Sequence, residues 1–131
     1  MASKKILVVD DEAIIRDLLE YSLGKEGYSV RTVASGEEAL EILGQESIPV
    51  IFIDLGLDLS TISGFKLCEK VRKEYPNAIL YALTGYAKFF DPHEFRKAGF
   101  DDYFAKPVNV ESIYQALRNS FKKIDQQNAS E

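Results

Sequence analysis

The sequence predicts an α/β fold: a doubly wound parallel sheet with helices packed on both of its faces. Two observations carry that expectation. Short, β-branched apolar runs alternate with stretches of helical periodicity almost from end to end. The strongest runs, Ile6-Leu7-Val8-Val9 and Val50-Ile51-Phe52-Ile53, are also continuous, as strands covered on both faces require. Strand–helix–strand units of this length join parallel neighbours through right-handed crossovers, which put helices above and below the sheet.

The first strand leads into a helix in which Ile14, Leu18 and Ser22, flanked by Ile15, Leu19 and Leu23, keep helical spacing as far as a C-capping Gly27. Residues 28–33 form a second short strand. Ser35-Gly36-Glu37-Glu38 has the spacing of a capping box, the serine oxygen and Glu38 each satisfying an orphan N–H ahead of Ala39, Leu40 and Leu43. Pro49 opens the third strand, and a polar, glycine-bearing loop, residues 54–63, precedes a helix carrying Phe65, Leu67, Cys68 and Val71. Residues 78–83 are the fourth strand. Asp91-Pro92-His93-Glu94 then combines an N-cap, a proline at the first helical position and an acid in the first turn of a short helix that stops near Gly99. Tyr103-Phe104-Ala105 is the fifth strand, and Asn109 caps a last helix through Ile113, Leu117 and Phe121. One domain, residues 4–123, accounts for the pattern, with residues 124–131 a polar tail expected to fray.

Composition narrows the chemistry. At 131 residues, 46% hydrophobic and 28% charged, the chain has the size and make-up of a single globular domain. No stretch reaches about 18 consecutive apolar residues, and the first strand follows the N-terminus too closely for a signal peptide, so a cytoplasmic location with no membrane contact is expected. Acidic residues outnumber basic ones 21 to 16, and a net charge of −5 argues against direct nucleic-acid binding. A single cysteine, Cys68, excludes an internal disulfide, and a single histidine, His93, excludes a histidine-rich metal cage. Carboxylates, hydroxyls and lysines remain.

In open parallel sheets, ligands bind beyond the carboxyl ends of the strands. Asp10 and Asp11 follow the first strand, Asp54 ends the third, Thr84 ends the fourth, and Lys106-Pro107 ends the fifth. Each alone reads as a cap, a turn or a strand exit, and Glu12 extends the first polar turn. Together they mark a site.

On Val8-Val9-Asp10-Asp11-Glu12, Ile51-Phe52-Ile53-Asp54, Leu83-Thr84-Gly85, Ala98-Gly99-Phe100-Asp101-Asp102-Tyr103 and Lys106-Pro107, residues 4–123 resemble the receiver domains of two-component response regulators. That resemblance implies a five-stranded, flavodoxin-like sheet of order 2-1-3-4-5. It implies Asp54 as phosphoacceptor, taking phosphorus from a sensor histidine kinase, a phosphotransfer protein or a small donor such as acetyl phosphate. Carboxylates crowded in one place repel and raise one another's pKa, and a hard dication relieves them. Mg²⁺ (or Mn²⁺) is therefore expected on Asp11 and Asp54, with Asp10 close by through water and the Gly56 carbonyl as a further ligand. Such binding should weaken as pH falls towards about 4. By the same resemblance Lys106 pairs with the phosphoryl oxygens, Pro107 follows a cis peptide, and Thr84 and Tyr103 are switch residues that alter the fourth and fifth helices and the fifth strand. A downstream protein target or output domain would read that surface, which is also the expected face of a homodimer.

Two departures from the family pattern stand out. The Met-Pro usual after the phosphoacceptor is missing, and the loop glycine, Gly64, comes ten rather than eight positions after Asp54. Asp58 in this loop reads as a solvated acid. The altered loop motivates the alternative of a constitutive docking module that keeps the acidic pocket without using it; a phosphohydrolase using Asp54 as a turnover nucleophile is a more remote reading. Of the other chemistry-bearing residues, His93 reads as a surface residue and Cys68 as a small buried hydrophobe. Phe89-Phe90 reads as a staple at the entry of the fourth helix or, second, as a partner-facing pair, and Tyr114 and Phe121 as core or dimer surface.

Overall fold

The computed structural model describes residues 4–57 and 61–129. Five strands, β1 (Lys5–Val9), β2 (Ser29–Val33), β3 (Val50–Asp54), β4 (Ile79–Thr84) and β5 (Asp102–Ala105), alternate with five helices, α1 (Ala13–Lys25), α2 (Gly36–Leu43), α3 (Gly64–Glu74), α4 (Pro92–Ala98) and α5 (Val110–Ala129). All four strand pairings are parallel and the order is β2-β1-β3-β4-β5, the doubly wound, flavodoxin-like arrangement. Among the described residues, no helix is long and apolar enough to cross a membrane.

Strand alternation builds two cores. Leu7, Val9, Ile51, Ile53, Leu80 and Ala82 face α2, α3 and α4, meeting Leu43, Leu67, Val71 and Phe95. Ile6, Val8, Val50, Phe52, Tyr81 and Leu83 face α1 and α5, meeting Leu19, Leu23, Ile113, Leu117 and Phe121. Phe121 is thus core, and Tyr114 packs half-buried against the same cluster, its hydroxyl donating to the Ser22 carbonyl at 3.3 Å.

The expected caps form. Ser35 Oγ accepts from Glu38 N–H at 3.2 Å, while Glu38 reaches back to Ala34 N–H at 2.8 Å. Gly27, at φ +93°, follows the end of α1, where Tyr28 N–H bonds to the Leu23 carbonyl and Gly27 N–H to the Gly24 carbonyl, a Schellman closure. Asp91 caps α4 and Asn109 caps α5. The Phe89-Phe90 pair divides: Phe90 packs on Phe95 with ring centroids 5.6 Å apart, the staple geometry, whereas Phe89 is 71% exposed.

On α1, Leu19, Ser22 and Leu23 turn inward, while Ile14 is 81% exposed. One expectation is corrected: α5 runs on to Ala129 through most of the segment 124–131 expected to fray, and Ile124 extends its apolar stripe against the second core.

Candidate functional site

Register brings the strand ends to one edge. Val9 pairs with Ile53, so Asp10 follows β1 beside the end of β3, where Asp54 pairs with Leu83; Thr84 pairs with Ala105, and Lys106 follows. Asp10 is fully buried, Asp54 and Thr84 nearly so. The turn after β1 is held from both sides: Asp10 Oδ1 accepts from Glu12 N–H at 2.9 Å, and Arg16 donates to the Asp10 carbonyl at 2.9 Å.

Oxygens of Asp10, Asp11, Glu12 and Asp54 lie within 4.8 Å of one another. The Lys106 ammonium sits among them, 2.7 Å from Glu12 Oε1, 3.0 Å from Asp10 Oδ2 and 3.3 Å from Asp54 Oδ1. The peptide joining Lys106 to Pro107 is cis. Even so, Asp10 Oδ2 is buried without a directed hydrogen bond; Lys106 meets it as a charge, off the geometry of a bond. Asp54 Oδ1 also accepts from Gly56 N–H at 3.0 Å.

Electrostatics follow from this crowding. Burial, with the Asp10 charge adding to it, pushes the Asp54 carboxyl up to about 6 against the pull of the Gly56 N–H and Lys106. Its titration therefore lies near 6 rather than the ordinary value of about 4. Burial works against the Lys106 ammonium, but Glu12, Asp10 and Asp54 outweigh it and hold its pKa above the usual lysine value. Several carboxylates share one ammonium, every donor is a hard oxygen, and one buried oxygen is left without a directed partner; that set fits a hard divalent cation.

Thr84 and Tyr103, the expected switch residues, stand outside the cluster. Thr84 Oγ1 accepts from Tyr86 N–H at 3.0 Å. Tyr103 is half-buried and stacks on Phe95, centroids 4.6 Å apart at 14°. The glycine that closes the lengthened loop is sterically required: a Cβ at Gly64 would come within 2.5 Å of the Asp54 carbonyl oxygen and 2.8 Å of Leu55 Cα. The returning arm of the loop is tied to α2, where Glu37 Oε1 accepts from Thr61 N–H at 3.0 Å, the Thr61 hydroxyl at 2.8 Å and Ile62 N–H at 3.2 Å. Asp58 lies outside the described residues. His93 is exposed, and burial pushes the Cys68 thiol up to about 12, which leaves it inert. The residue that sequence reading undervalued is Glu12; only its adjacency to Asp10-Asp11 hinted that it shares Lys106.

Fold and site define a flavodoxin-like domain with an acidic pocket at the switch point of its sheet. The chain belongs to the response regulator receiver domain family, whose model matches residues 6–118. It is 35% identical over 125 residues to a probable transcriptional regulator, ycf27, of Porphyridium aerugineum, covering 95% of this chain and 51% of that protein. The chain spans about half the length of the curated relatives of this kind. Among solved structures, chemotaxis protein CheY4 of Vibrio cholerae superposes with a TM-score of 0.80 at 29% identity, covering 91% of this chain and 99% of that one. A response regulator protein from Burkholderia pseudomallei, solved with a phosphorylated aspartic acid, calcium ion and citrate, matches at 35% identity and a TM-score of 0.80, over 97% of this chain and 74% of that one. The domain therefore serves phosphorylation-based two-component signalling and is a signalling module rather than a conventional enzyme. Receiver domains hold Mg²⁺ at an acidic pocket of this kind.

Proposed function

We propose that this domain is a phosphorylation-dependent switch, comprising residues 4–123, in which Asp54 is the phosphoacceptor. One Asp54 oxygen attacks the phosphorus of a phosphohistidine on a sensor histidine kinase or phosphotransfer protein, or of acetyl phosphate. The bond from phosphorus to the donor breaks, the electron pair leaves on the histidine nitrogen, which takes up a proton, or on the departing acetate oxygen, and an acyl phosphate remains on Asp54. Asp10, Asp11 and Asp54 would hold Mg²⁺ or Mn²⁺, with the Gly56 carbonyl as a further oxygen, and the bound ion would supply neutralisation for the incoming phosphoryl oxygens. Lys106 moves onto a phosphoryl oxygen from its place 3.3 Å from Asp54. Thr84 gives up the Tyr86 N–H and donates its hydroxyl to another phosphoryl oxygen, and Tyr103 leaves its stack on Phe95 and turns inward, with Pro107 in the moving β5–α5 connection.

The observation that carries this reading is the buried Asp54 carboxylate at the end of β3, set between Lys106 and the Asp10-Asp11 turn. The phosphorylated aspartic acid in the Burkholderia relative supports it. The altered surface of α4, β5 and α5 is then read by a downstream protein, by an output domain where the chain is part of a longer regulator, or by a second copy. Incubation with Mg²⁺ and acetyl phosphate should add one phosphoryl mass, located on the Asp54 peptide and absent from Asp54→Asn; an adduct that persists in the variant would overturn the assignment.

The lengthened loop after Asp54 favours the second reading, constitutive docking. It predicts equal partner affinity with and without Mg²⁺ and beryllofluoride, whereas a switch predicts a change.

A further inference from the structure

Of the three carboxylates around Lys106, the one it touches most closely is the most exposed. Glu12 is 57% exposed and 2.7 Å from the ammonium, whereas the buried pair, Asp10 and Asp54, lie 3.0 and 3.3 Å away. A cation held by Asp10, Asp11 and Asp54 repels the lysine from those oxygens but leaves Glu12, at the rim, available to it. The ammonium is largely buried, but the Glu12 side of the pair is open to solvent, so this contact can be exchanged without burying a carboxylate.

Resting on the reading of the pocket as a metal-assisted phosphoacceptor site, we propose that Glu12 is a positioning residue that parks the Lys106 ammonium at the pocket rim. With the cation bound, Glu12 would draw the lysine away from Asp10 and Asp54, which it also meets here, and hand it to the phosphoryl oxygen on activation. Glu12 acts through Lys106, not as a ligand.

Mg²⁺ titration by calorimetry of the intact chain tests this with three variants. Glu12→Gln should weaken Mg²⁺ binding about three- to tenfold, the size of coupling usual between contacting charges. Glu12→Asp, which keeps the charge but is one methylene too short for the contact, should weaken it similarly. In a Lys106→Met background, Glu12→Gln should change affinity less than about twofold. The Lys106 ammonium resonance, followed by NMR in the Mg²⁺ form, should respond to Glu12→Gln before beryllofluoride is added and not after. Equal losses in both backgrounds would show Glu12 acting on the ion directly, as ligand or as charge, and wild-type affinity in Glu12→Asp would show that its contact with Lys106 is not needed; either would overturn the proposal while leaving the metal site standing. A wild-type chain that takes up no Mg²⁺ would bring down the pocket reading and the handover together.

Discussion

The cation–carboxylate assembly around Arg72 and the one around Lys106 are built on opposite principles. Arg72 in α3 makes five hydrogen bonds: two to the Gly99 carbonyl, one each to the Pro76 and Ala78 carbonyls, and one to Asp101 Oδ2 at 2.9 Å. Asp101 Oδ2 in turn accepts from Leu80 N–H at 2.8 Å. One positive charge meets one negative charge, and the guanidinium ties the end of α4 to the approach to β4. At the carboxyl edge, by contrast, Lys106 faces Asp10, Glu12 and Asp54 together, and Asp10 Oδ2 lacks a directed bond. The first assembly is closed and structural. The second carries surplus negative charge, which gives it a use for a dication and a phosphoryl group.

Breaking each assembly should have opposite consequences. At the closed one, Arg72→Ala strips donors from several carbonyls and leaves Asp101 without its cation, and should cost about 2–3 kcal/mol in urea unfolding. At the open one, Asp54→Asn should stabilise the metal-free protein. A carboxyl raised in the folded state costs nothing below its unfolded pKa, here 3.8, and costs progressively more as pH rises through its folded value of about 6. The variant should therefore match the wild type near pH 4 and exceed it by up to about 3 kcal/mol above pH 6, as pH-resolved unfolding curves would report. The same titration sharpens the contrast in ligand terms: protons displace Mg²⁺ from Asp54, so Mg²⁺ affinity should fall as pH drops through about 6, by at most about tenfold per pH unit. Affinity that stays level down to pH 4 would mean Asp54 is not held in this cluster. Smallest of all, Ser35→Ala, far from both assemblies, should cost about 1 kcal/mol through loss of the α2 cap alone.

The open assembly was more legible in the sequence than the closed one. Asp10, Asp54, Thr84 and Lys106 each interrupt or follow an apolar β-rich run, and parallel topology then sends those ends to one edge. Periodicity also placed the five strands and the five α-helices, though not the short 3-10 turn at Ala87–Phe89. What escaped is long-range side-chain pairing. Nothing local to Arg72 says that it reaches Gly99, and Glu12 meets Lys106 only after the whole sheet is assembled. Nor does periodicity decide which of two adjacent apolar rows turns inward, as Ile14 and Ile15 illustrate, or how far a polar helix such as α5 continues once Ile124 finds a core to pack on.

The claim that surplus charge organises the pocket is tested most directly by one unfolding comparison, wild type against Asp54→Asn near neutral pH, with and without millimolar Mg²⁺. Without the ion the variant should be the more stable chain; with it the gap should narrow, since the wild type, with Asp54 in the cluster, gains more stability by binding. A variant that is less stable under both conditions, or a wild type indifferent to Mg²⁺, would contradict the account.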